Sequence, residues 1–161
     1  MNNTQLPRNW RNNNPLNIRR THDQWQGLSE RQTDKAFCQF KRVEYGWRAA
    51  FMLLCRKYYY VLHLDTLRSI VSRWAPTTEN DTLQYVEWLA AMTGIDADSH
   101  LPLPVNDNED TWMRIAVAMA LYEGGTLSTA QLMSVDLWKV MSGWDMYRLE
   151  ADKGAFSDNT G

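Results

Sequence analysis

At 161 residues, 44% of them apolar, the chain has the length of one domain and enough apolar material for a proper core. A net charge of −2 argues against a dedicated nucleic-acid binder, which carries a basic excess, and no run approaches the roughly 20 apolar residues that span a bilayer. Cys38 and Cys55 lack metal-ligand spacing and read as buried, reduced thiols.

Residues 1–34 read as mostly irregular, anchored by Trp10 and Trp25. The N-terminus is polar and the first apolar run follows residue 42, so no secretory signal is expected. The expectation is a protein made in the cytoplasm; if it acts outside, at the cell wall or as part of a phage particle, something other than its own leader carries it there. The most distinctive stretch is Arg11-Asn-Asn-Asn-Pro-Leu-Asn-Ile-Arg-Arg20. Asparagine side chains compete for backbone hydrogen bonds, and Pro15 pushes Asn14 out of helical geometry. The alternation of Leu16–Arg19, and of Ala36–Phe40, predicts a small β element in which the two segments pair.

From Val43 the period changes. Val43, Trp47, Phe51, Leu54, Tyr58 and Val61 recur at three- and four-residue steps, which predicts a helix over 43–62 with Gly46 available for a close backbone contact. Leu67, Ile70, Val71 and Trp74 predict a helix within 64–74, capped by Asp65 and ended by Ala75-Pro76. Thr78 is the expected N-cap of the next helix, with Asp81 reaching back; Leu83, Val86, Leu89 and Ala90 face inward until Gly94. Residues 95–108 read as a connector. A helix over 110–123 buries Trp112, Ile115, Ala116 and Met119, and a last one lies within 128–141. The expectation is a mainly α domain over 1–143, with about five helices and a small N-terminal β element, followed by a weakly ordered tail over 144–161.

Histidine mechanisms have little support, because His22, His63 and His100 share no helical face. A Gly-x-Ser-x-Gly elbow and a glycine-rich phosphate loop are both absent from the sequence. Carboxylates remain. Glu123 continues the apolar stripe of its helix, since eleven residues at ~100° each return within about 20° of the direction of Trp112. It also sits in the last turn, where the helix dipole disfavours negative charge. Both effects favour the neutral acid, as a glycosidic general acid requires. The alternative is a glutamate pointing to water before a glycine cap. Glu44 opens the long helix, where its charge is stabilising and where Arg48 lies one turn on. Glu79 and Asp81 belong to a capping cluster. Asn13, Asn14 and Asn17 suit either loop formation or hydrogen bonding to sugar hydroxyl and acetamido groups. The eight tryptophans and seven tyrosines serve either the core or an aromatic sugar-binding surface.

The Arg11–Arg20 run, Trp25-Gln-Gly-Leu28, Phe37-Cys-Gln-Phe40, Glu44-Tyr-Gly-Trp-Arg-Ala49, Arg73-Trp-Ala-Pro76 and Glu79-Asn-Asp-Thr82 with Tyr85 together resemble a family of phage and prophage proteins. Its members are labelled virion structural or lysozyme-like, and the resemblance covers about residues 8–125. Members usually carry Gly after the proline, where this chain has Leu16. Asn-Pro-Leu-Asn-Ile-Arg followed by Phe-x-x-Phe is also similar to the Asn-Leu-Phe-Gly-Ile-Lys pattern of glucosaminidases in the lysozyme-like superfamily. There the acid-bearing helix precedes the pattern; here Tyr122-Glu-Gly-Gly125 comes after it. The resemblance therefore implies a circularly permuted lysozyme-like fold, with Glu123 delivered beside Asn12–Arg19.

It further implies cleavage of the peptidoglycan glycan strand, with Glu123 as general acid. Glu44 is the first candidate for a second carboxylate, which a hydrolase needs about 5 to 9 Å away. Asn14, Asn17, Arg19, Tyr45 and Trp74 are the candidates for lining the groove, and no metal or organic cofactor is called for. The rival expectation is a non-catalytic virion structural or glycan-binding module, with other virion proteins as partners.

Overall fold

The computed structural model describes residues 6–75, 78–125 and 135–152, without the side chains of 79, 80 and 152. Its centre is a long helical rod: α2 (Val43–Phe51) continues into a wider-turned π-helix (Met52–Val61). The expected face is buried through Trp47, Phe51, Leu54 and Tyr58. The widened turns bring Leu62 N–H to Lys57 O at 2.9 Å, and this i→i+5 geometry shifts the register. Val61, expected inward, consequently ends 54% exposed.

A single helical turn, α1 (Arg8–Arg11), leads into the asparagine run. Asn13 and Asn17 take left-handed backbone angles (φ 52° and 53°), which asparagine tolerates better than other non-glycine residues. Leu16 is fully buried, so the chain uses an apolar anchor at the position where the resembling family carries glycine. The expected β element is reduced to two isolated antiparallel bridges, Arg19 with Phe37 and Leu28 with Phe40. Side chains intervene in what would be a ladder: Asn14 Nδ2 donates to the carbonyls of Ile18 (3.0 Å) and Cys38 (2.8 Å). Its Oδ1 accepts from Ile18 N–H at 2.9 Å.

Helix α3 (Leu67–Trp74) starts one residue later than expected. Thr66, not Asp65, is the N-cap, and Thr66 and Ser69 accept each other's backbone N–H. Asp65 instead lies 3.0 Å from His100 Nε2. Helix α4 (Glu79–Thr93) begins at the expected cap, with Thr78 Oγ1 accepting from Asp81 N–H (3.2 Å), and stops at left-handed Gly94; the Asp81 carboxylate does not reach back to Thr78 N–H as expected. The capping expectation for Glu79 falls on a side chain outside the described set. Tyr85, Val86 and Leu89 are buried while Leu83 is 42% exposed, so the inner face of α4 is turned toward Tyr85. The connector carries a short 3₁₀ turn (Asn106–Asn108) before α5 (Glu109–Glu123).

The last described helix, α6 (Leu137–Asp152), corrects the expected stop near 141. Residues 128–134 of the expected helix lie outside the described residues. Gly143 is not a terminator but a mid-helix contact point. A Cβ there would overlap Trp47 Cβ and come within 2.8 Å of Arg48 N, so the missing side chain lets α6 lie close against α2. Trp144 and Tyr147 are buried beside Phe51, with the Trp144 ring edge-on at 5.2 Å. Arg48 correspondingly reaches Glu150 at 3.7 Å rather than Glu44. Among the described residues, no helix is long and apolar enough to cross a membrane.

Gly46 locks the rod to the N-terminal segment. A Cβ at this position would overlap Asn13 O and lie 2.7 Å from Pro15 Cδ. Gly46→Ala is therefore expected to destabilise the protein by about 2 kcal/mol, a typical overpacking cost, measured by urea denaturation. An unchanged midpoint would mean that the two segments are not held in contact.

Candidate functional site

Two helix ends, the middle of a third helix and the asparagine run converge on one carboxyl group. Glu123 closes α5. Its Oε2 accepts from Trp74 Nε1 at 3.2 Å and from Tyr85 Oη at 3.1 Å. Trp74 ends α3, and Tyr85 comes from the first half of α4. Tyr85 is buried and stacked on Tyr122 with ring centroids 3.8 Å apart, which fixes its ring; its hydroxyl has Glu123 Oε2 as the nearer acceptor and Met119 O, at 3.5 Å, as the farther one. The fourth wall is the N-terminal segment. Asn9 Nδ2 donates to Ala120 O (3.1 Å) and to Pro15 O (2.9 Å), which ties α5 to the loop. Asn17 Nδ2 approaches Glu123 O at 3.4 Å.

The carboxyl lies on an open cleft of about 380 Å³, lined by Asn17, Arg19, Asp23, Lys57, Trp74 and Glu123 among others. Burial pushes the Glu123 pKa above its ordinary value. Hydrogen bonds from Trp74, Tyr85 and Asn17, and the charge of Arg19, oppose that rise without cancelling it. The neutral acid is thus favoured by desolvation, as the sequence predicts. Both strong donors fall on Oε2, and Oε1 has no hydrogen bond to the described residues. An oxygen accepting two hydrogen bonds is the carbonyl-like one, so the proton of the neutral acid belongs on Oε1.

Of the groove residues expected from sequence, Asn17, Arg19 and Trp74 line this cleft with Glu123. Asn14 does not: it is fully buried, and its carboxamide is committed to Ile18 and Cys38. Tyr45 does not line it either, since its ring closes over Gly27, where a Cβ would overlap it. Glu44 stands apart from the cleft, 3.0 Å from Arg42 Nη2. Burial pushes the Glu44 carboxyl up. Its own backbone N–H, Arg42 and Lys139 outweigh this and hold it below the ordinary value.

Tyr85, Asp23 and Lys57 are the residues that the site reading from sequence leaves out. Tyr85 has a legible signal, being a phenol on the buried face of a helix, where its hydroxyl needs a partner. Asp23 has none: it sits in an irregular loop, its Oδ2 accepting from Thr21 Oγ1 at 2.9 Å. Lys57 reaches the cleft beside Leu53 and Tyr58, from the π-helix whose onset the periodicity does not mark.

The arrangement is that of a mainly helical protein with a desolvated carboxyl, its pKa raised by burial, on the wall of an open, polar and aromatic cleft. No family model matches the chain. The chain is 38% identical over 125 residues to Protein P5 of Pseudoalteromonas phage PM2, a match covering 76% of this chain and 74% of that protein. The chain belongs to the family of this phage protein.

The raised Glu123 pKa has a consequence for stability. An acid whose folded pKa exceeds its unfolded one contributes stability below the unfolded pKa and loses it as pH rises through the folded pKa. Glu123→Gln keeps an acceptor for Trp74 and Tyr85 and removes the buried charge. It should therefore raise the melting temperature at pH 7, and the gain should fade as pH falls below the ordinary carboxylate range. A gain independent of pH would contradict the assigned burial.

Proposed function

We propose that the protein cleaves the glycan strand of peptidoglycan, as a phage-encoded, lysozyme-like glycosidase or lytic transglycosylase with Glu123 as general acid. The observation that carries this reading is the position of Glu123, a desolvated carboxyl with one committed and one free oxygen, on a cleft shared with Asn17, Arg19 and Trp74. The nearness of Asn17 to the end of α5 also supports the permuted arrangement, in which the acid arrives beside the asparagine run from the far side of the sequence.

In the reaction, the proton on Oε1 passes to the glycosidic oxygen as the bond to the anomeric carbon breaks. The bonding electrons leave with that oxygen, and Glu123 becomes the carboxylate. Trp74, Tyr85 and Arg19 then stabilise the new negative charge. Water adds to the anomeric carbon in a hydrolase, and the C6 hydroxyl of the same sugar does so in a lytic transglycosylase; the proton released as that C–O bond forms returns to the Glu123 carboxylate and restores the acid. Asp23 is the second carboxylate of the cleft, available to offset positive charge on the sugar or to activate the water.

A second reading, a non-catalytic virion structural module with other virion proteins as partners, is supported by kinship with a phage protein. The surface of α6 also supports it: Leu137, Trp138 and Leu149 are exposed there, Trp138 to 78%.

Purified protein digesting cell walls, with Glu123→Gln slower by about 100-fold or more, is the expected result, that being the usual weight of a general acid. Equal digestion by both would remove Glu123 from the mechanism, and digestion by neither would favour the structural reading. A further expectation concerns pH. The rate should fall as pH rises through the Glu123 pKa, because the protonated form is the active one. Arg19 favours the ionised form, so Arg19→Gln should move that alkaline limb to higher pH in a kcat profile. No movement, or movement downward, would exclude Arg19 from tuning the acid.

A further inference from the structure

A second cavity of about 470 Å³ lies beside the Glu123 cleft, and Thr21, Asp23 and Trp25 contribute to the lining of both. The loop carrying these residues is therefore the partition between the two chambers. The second chamber has a different character from the first. Arg20, Gln24, Glu30 and Gln32 make its walls polar, and it has no counterpart of the Trp74, Tyr58 and Phe37 surface in the cleft.

Its polar groups are not all committed to the fold. Gln32 is, since it donates to Ser29 O and Gln39 O and accepts from Gln39 N–H. Arg20 is held only from one side, where Nη1 donates to Asp34 O at 3.0 Å and Gln32 O at 3.5 Å. None of Arg20, Glu30 and Asp23 has an ion-pair partner among the described residues, so the chamber presents one cation and two carboxylates without a counter-charge.

We propose that this chamber holds the peptide branch of a peptide-bearing glycan while the sugar chain occupies the Glu123 cleft. The inference rests on the glycan reading above and narrows its substrate to strands that carry peptides. A short peptide offers carboxylates to Arg20 and amino groups to Glu30 and Asp23, and the volume is within the range of small-ligand sites. A bare polysaccharide offers only hydroxyl and acetamido groups and leaves these charges unpaired.

The test compares binding of full-length Glu123→Gln protein to two soluble ligands, peptidoglycan strands with their peptides and the same strands after amidase has removed them. Peptide-bearing strands should bind about tenfold tighter, the scale of one well-placed charge-assisted contact. Adding Glu30→Gln, at an exposed position, should reduce that preference for peptides with a free amine and leave N-acetylated peptides unaffected. Arg20→Gln should lower it for both. Equal affinity for the two ligands, or no binding to either, overturns the proposal, as does a Glu30→Gln effect that ignores acetylation. Wall digestion by Glu123→Gln, read separately, would overturn the general-acid reading and leave this comparison standing.

Discussion

One carboxylate organises the irregular part of the molecule. Asp34 accepts hydrogen bonds from Arg8 Nε and Nη2 (both 2.6 Å), Asn12 Nδ2 (2.9 Å), and the backbone N–H groups of Ala36 (2.9 Å) and Phe37 (3.0 Å). The Arg8 guanidinium, above all, holds it well below the usual carboxylate range. Arg8 itself is half-exposed, so the ion pair alone contributes little in water. What matters is that one nearly buried side chain satisfies donors from both segments flanking the asparagine run. Without regular secondary structure, those backbone groups need such partners. Around this knot, Asn9, Asn13 and Asn14 supply the rest, each donating to carbonyls elsewhere in the chain.

That scaffolding explains how a loop near the N-terminus becomes a fixed wall of a cleft. The loop is pinned at three places: to Asp34, to the rod through the Gly46 approach, and to the end of α5 through Asn9 and Asn17. Asn17 and Arg19 then have defined positions relative to a carboxyl more than a hundred residues away. Glu123 is in turn clamped from the opposite side by side chains of α3 and α4. A general acid of the kind proposed needs such support, because small misplacements cost large factors in rate. The hold is asymmetric: Trp74 and Tyr85 both donate to Oε2.

Kinship with a phage protein and a cleft bearing a desolvated carboxyl are compatible with each other. The difference between cutting a polymer and gripping it lies in chemistry rather than in fold. The polar chamber next to the cleft fits the same picture of a branched polymer lying across the surface.

Periodicity by itself determined the four main described helices from Val43 to Glu123, because apolar side chains at three- and four-residue steps must share a face. It also determined the close approach at Gly46, the Thr78 cap, and the placement of Glu123 on a buried stripe. The asparagine run announced itself as a loop, but its side chains read equally as binding groups. Only the tertiary structure decided that Asn14 is wholly structural and Asn17 lies at the site, because both answers depend on partners distant in sequence. The same holds for Gly143, whose local reading is a helix stop and whose actual role is close packing against Trp47 and Arg48. Asp23 and Lys57 reached the cleft, and Tyr85 the Glu123 carboxyl, for the same reason. Local sequence specifies which face a residue occupies, and only the packing of the helices and loops specifies what that face meets.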